Sequence, residues 1–116
     1  MNKELPDANW LEEIAYIGGF REIFNIEGNS MFPALKNGDL VLINPSAELE
    51  IGDIVLARHP FKQSVKIIKR IAEILSGEKY ILLGDNLDES SDSREFGAIS
   101  AKDILGKAES KIRQLS

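Results

Sequence analysis

The chain has 116 residues, 43% of them apolar and only 7% aromatic, so one domain of modest size packed mainly by aliphatic side chains is expected. A formal net charge of −5 argues against nucleic-acid binding, which needs a basic footprint. The lack of cysteine excludes disulfides, thiolate nucleophiles and thiolate-bound zinc, and the single histidine, His59, cannot build a metal site alone, so no metal or cofactor is expected.

Residues 1–9 read as a loose leader with Asn, Pro and Asp in close succession. From Trp10 to Ile17 the apolar residues recur at offsets of three and four, the spacing of a short amphipathic helix, and Gly18-Gly19 ends it. Arg21–Glu27 reads as a strand, followed by a shaped loop from Gly28 to Leu35 and a turn at 36–39. Leu40–Ile43 is the next strand, and the turn at Ile51-Gly52-Asp53 feeds another at Ile54–Arg58, which Pro60 closes by removing a backbone donor. Val65–Ile71 is rich in β-branched residues and continues into 72–76, with Ile67, Lys69 and Ile71 alternating onto one face. A hairpin turn at Gly77-Glu78 leads to a strand at Lys79–Leu83 and then to an almost wholly polar stretch, Gly84–Gly97. One helical turn at Ser100–Asp103 and a last strand or short helix after Gly106 complete the order.

Several short strands with glycine-containing turns predict a mainly β fold, a small antiparallel barrel or folded sheet with a short N-terminal helix. Residues 1–22 form the expected leader and helix, and 23–116 the single domain. The charge is uneven. Residues 58–70 carry five basic side chains and no acid, while 84–95 carry five acids against Arg94, blocks that are expected to lie near each other.

Three groups of residues carry chemistry. Ser30 projects from a loop between two strands, but a serine hydroxyl is a poor nucleophile without a base. Lys69 sits between Ile67 and Ile71 on a face expected to be apolar, where desolvation favours the neutral amine. The polar stretch lacks the spacing of a calcium loop and reads instead as self-bracing, with Asp92 paired to Arg94 and Ser90 free to orient the lysine amine.

Together these groups resemble the type I signal peptidase family, which shares a Ser/Lys mechanism with the self-cleaving repressor proteases. Gly28-Asn29-Ser30-Met31-Phe32-Pro33 is similar to the nucleophile box, Lys69-Arg70 to the base box, and Gly84-Asp85-Asn86 through Ser90, Asp92-Ser93-Arg94 and Gly97 to the closing box. Leu87 and Ala34 depart from that pattern, where Arg and Thr are common. The resemblance implies a serine endopeptidase with Ser30 as nucleophile, Lys69 as general base, and Ser90, Asp92 and Arg94 supporting the lysine and its loop. Gly28, Asn29, Ser30, Met31 and Pro33 would bind substrate or the oxyanion, with the Ser30 N–H as one donor and the second left open by glycine at position 28. A compact sequence with Arg58-His59-Pro60 before the base box is further similar to the nickel-type superoxide dismutase maturation proteases. The implied partner is a precursor protein with an N-terminal leader. The implied location is the cytoplasm, with no membrane role unless an anchor is missing. The alternatives are a membrane-associated signal peptidase, with Trp10, Leu11, Tyr16, Ile17 and Phe20 facing lipid, and a non-catalytic peptide-binding β module.

Overall fold

Helix α1, at Trp10–Ile17, is the first element of the computed structural model, which describes residues 3–112. Residues 1–2 of the expected leader and 113–116 of the expected domain lie outside the described residues. The Asn9 side chain accepts the Glu12 N–H and so satisfies one donor that a first helical turn leaves unpaired. At the other end the Gly18 N–H bonds to Ile14 O, and Gly19 takes a φ of 86° that favours glycine.

The helix is turned inside out. It buries no residue, and Trp10, Ile17 and Phe20 just beyond it are 65%, 82% and 69% exposed. Its inward contacts are polar: Glu12 accepts from Arg21 at 3.1 Å and from the Ser110 hydroxyl at 3.1 Å. Residues before α1 lie along the sheet, where Ala8 N–H bonds to Lys111 O and Lys111 N–H to Pro6 O. Among the described residues no helix is long and apolar enough to cross a membrane.

Seven strands follow: β1 (Glu22–Asn25), β2 (Leu40–Asn44), β3 (Ile54–His59), β4 (Lys62–Leu75), β5 (Lys79–Leu83), β6 (Ile99–Ser100) and β7 (Ile104–Ile112). They form one antiparallel sheet in the order β1-β2-β7-β3-β4-β5-β6, the mainly β fold that the turn spacing predicts. The β-branched run extends further than its strongest segment, because β4 is one continuous strand of 14 residues. Helix α2 (Ser93–Phe96) is a single turn inside the polar stretch.

Alternation along β3 divides the core. Ile54 and Leu56 join Ile26, Met31, Leu35, Val41, Ile43 and Ile68 on one face, while Val55 and Ala57 join Ile71, Leu82 and Ile99 on the other. A central strand buried on both faces reads as a continuous apolar run, which is the pattern of Ile54–Ala57.

Glycine at 106 does not break β7; it lets the strand cross close to β2. A Cβ built there would stand 2.6 Å from Ile43 Cγ2 and 2.8 Å from Asn44 O. Gly106→Ala therefore lowers the unfolding free energy by about 1–3 kcal/mol, read as an earlier urea midpoint at unchanged slope.

Candidate active site

The nucleophile-box loop is held from two sides. Gly28 takes a φ of 80°, and its N–H donates to Asn37 Oδ1 at 2.8 Å, which fixes the turn out of β1. The Met31 side chain is buried in the core beside Leu35 and accepts the Asp85 N–H on its sulfur at 3.4 Å. From the closing box, the Asn86 N–H donates to Ser30 O at 2.9 Å and its side-chain amide to Asn29 O at 3.1 Å. Ser30 is thus pinned through its carbonyl, while no hydrogen bond among the described residues claims its N–H or its hydroxyl. Pro33 follows a cis peptide bond and lines a separate hollow with Glu4, Ala34, Arg70 and Asp85, away from the Ser30 groove.

Lys69 lies midway along β4, only 5% exposed, where Ile67 and Ile71 pack into one cluster and Ile68 into the other. Burial pushes its amine below the ordinary lysine pKa; the Asp92 carboxylate opposes this and the Arg94 guanidinium adds to it. Ser30 and Lys69 line the same groove of about 440 Å³, together with Phe24, Asn25 and Glu27 from the β1 side and residues 64–68 of β4. The serine and lysine are not hydrogen-bonded to each other.

Why is this groove open? β5 pairs with β4 only from Arg70 onward, so among the described residues the stretch from Lys62 to Lys69 has β3 on one edge and no strand on the other. Ile71 directs both its backbone groups toward Gly52 and Asp53 on the β3 side. By alternation the N–H and C=O groups of Ile68 and Lys66 point toward the open edge.

Asp92 organises the closing box. It is 1% exposed, caps α2, and accepts from the Gly84 N–H at 2.9 Å, the Ser90 hydroxyl at 2.7 Å, and the Arg94 N–H and Nε at 3.1 and 3.0 Å. Burial alone would raise its pKa, but the bonds from Arg94, Gly84 and Ser90 outweigh it and hold the carboxyl at about 2. The Ser90 hydroxyl, expected to orient the lysine amine, donates its proton to Asp92. Arg94 also donates to the carbonyls of Leu87 and Ser90 and so ties the loop across itself.

Two supports escaped sequence reasoning. Gly84 packs so closely that a Cβ would stand 2.2 Å from Ser90 Oγ and 2.7 Å from Ser30 O, which brings the closing box against the nucleophile loop. Arg70 turns to the opposite side of β4 from Lys69 and makes a two-pronged pair with Asp85, at 2.8 and 2.7 Å, while also donating to Gly52 O and Lys3 O. The opposed charge blocks were the available signal, but they meet only in part: Arg58 pairs with Asp103 rather than with the acidic stretch.

Because the folded carboxyl of Asp92 lies below its unfolded value of about 3.9, its contribution is present above that value and lost as pH falls toward about 2. Asp92→Asn removes on the order of 2 kcal/mol at neutral pH and flattens the loss of stability between pH ~4 and ~2, measured by thermal denaturation across that range.

The Peptidase S24-like family matches residues 8–108. Mitochondrial inner membrane protease subunit 1 of Xenopus tropicalis is 32% identical over 115 residues, covering 79% of this chain and 67% of that protein. The Homo sapiens protein of the same name is 30% identical, over 87% of this chain and 73% of its own length. The mitochondrial ATP-independent inner membrane protease subunit 1a of Arabidopsis thaliana is 31% identical, over 72% and 66%. These relatives overturn the expected cytoplasmic location, because each is named as a subunit of a membrane protease. The chain belongs to the Peptidase S24-like family.

Proposed function

We propose that the chain is a membrane-associated endopeptidase that removes an N-terminal leader from precursor proteins, with Ser30 as nucleophile and Lys69 as general base. The observation that carries this reading is the shared groove: a serine with an unclaimed hydroxyl and a buried lysine held toward its neutral form. Neutral Lys69 takes the Ser30 proton, and the oxygen attacks the scissile carbonyl of a peptide lying along the open edge of β4. The unclaimed Ser30 N–H stabilises the oxyanion. Gly28 supplies no second donor through its backbone, since that N–H is committed to Asn37. The Lys69 ammonium then returns the proton to the leaving amine, and water releases the acyl group. The peptidase unit comprises residues 23–116, with 1–22 as its leader and helix.

The narrower expectation of nickel superoxide dismutase maturation draws less support. The relatives described above are inner membrane protease subunits, which favours the membrane-associated alternative. The outward apolar face of α1 supports it too, because Trp10, Leu11, Ile14 and Ile17 belong to neither core cluster of the described residues. A non-catalytic peptide-binding module would not need a buried lysine beside a serine, and burying that charge without a task is costly.

Ser30→Ala and Lys69→Ala each cut turnover of a leader-bearing precursor by at least about a hundredfold while the far-ultraviolet dichroism is unchanged. Undiminished cleavage by either variant sinks the dyad. With the wild-type chain, kcat/KM rises with pH as the Lys69 amine loses its proton, with its midpoint below the ordinary lysine value. Liposome flotation tests the membrane reading: the chain floats with vesicles, and Trp10→Ser with Ile17→Ser returns it to the soluble fraction.

A further inference from the structure

The ionised side chains bracing the site are matched: Arg70 with Asp85 and Arg94 with Asp92, while Lys69 is held toward its neutral form. Two charges in the groove are not. Glu27, directly after the core residue Ile26, lines the groove from the β1 side, and Lys66 lines it from β4. Both are exposed, and neither side chain makes an ion pair or hydrogen bond among the described residues, not even across the groove to the other. Lys66 also shares with Ile68 the face of β4 that turns toward Met31 and Leu35, the side from which the Ser30 loop approaches.

We propose that Glu27 and Lys66 set the charge preference of this groove, selecting peptides with a basic side chain beside Glu27 and an acidic one beside Lys66. The inference rests on the peptidase reading for its substrate class. An extended peptide added to the open edge at Lys66 and Ile68 rises about 3.3 Å per residue, so Lys66 faces a position roughly two to four residues from the bond cut at Ser30. Glu27 stands three residues before Ser30 and meets the same segment from the opposite wall. Exposed ion pairs are weak, so each match changes selection about threefold to fivefold, and salt suppresses it.

The test uses an internally quenched peptide library with small residues at its centre and one flanking position at a time set to Lys, Gln or Glu. Cleavage is followed with the wild-type chain, and binding by anisotropy with the Ser30→Ala chain. One position favours Glu over Lys and another Lys over Glu, each by about threefold to fivefold, and both preferences shrink at high salt. Lys66→Glu inverts the first preference and Glu27→Lys the second. A library without charge preference, or preferences that neither substitution inverts, overturns the proposal. The two readings separate cleanly: charge-selective binding without any cleavage defeats the peptidase assignment alone, whereas cleavage without charge preference defeats only this inference.

Discussion

The site depends on the buried carboxylate of Asp92. Gly84, Ser90 and Arg94 all donate to it, and these donors lie on either side of the polar turns between residues 84 and 94. With Gly84 fixed, Asn86 reaches the Ser30 carbonyl and the Ser30 loop is held from outside its own sequence. The same charge acts on Lys69 from a distance. Burial lowers the pKa of the amine, Asp92 opposes that shift and Arg94 adds to it. One residue thus serves mechanics and electrostatics together, and its guanidinium partner keeps the first role from cancelling the second.

Placing Lys69 in the short stretch of β4 that is buried on both faces runs against stability. Ile67, Ile68 and Ile71 around it are ordinary core residues, and an apolar side chain at 69 would pack with less penalty. Proteins retain such positions where activity requires them. The neighbouring Arg70 is also buried, yet its case differs, since its donors are matched to Asp85 and to two backbone carbonyls. Matched, it braces the wall of the site. Lys69 has no such partners among the described residues.

Much of this was legible in the sequence. Short β-branched runs bounded by glycine marked the strands, and alternation in β4 put Lys69 in step with Ile67 and Ile71. The order of the three boxes pointed to the family. What stayed hidden was which surface meets which. Helical spacing from Trp10 to Ile17 reports an apolar face but not its direction, and Glu12 bonding inward to Ser110 reversed it. Gly106 looked like a boundary because composition does not reveal a close crossing of strands. The Ser90 hydroxyl donates to Asp92, a charged acceptor two residues away that its spacing alone did not single out. The cytoplasmic expectation failed for a different reason: it rested on the narrower resemblance, and the relatives are inner membrane protease subunits.

The half-paired strand β4 has a consequence for how copies of the chain treat one another. A bare strand edge is a template for any extended backbone, including that of a twin molecule, and sheets that stack edge to edge grow into fibrils. Exposed Lys62 and Lys66 stand along this edge, so two copies brought together there would crowd ammonium groups against each other. A lone guest strand carrying compensating charge meets no such repulsion. The opening is therefore guarded against self-assembly by its own side chains.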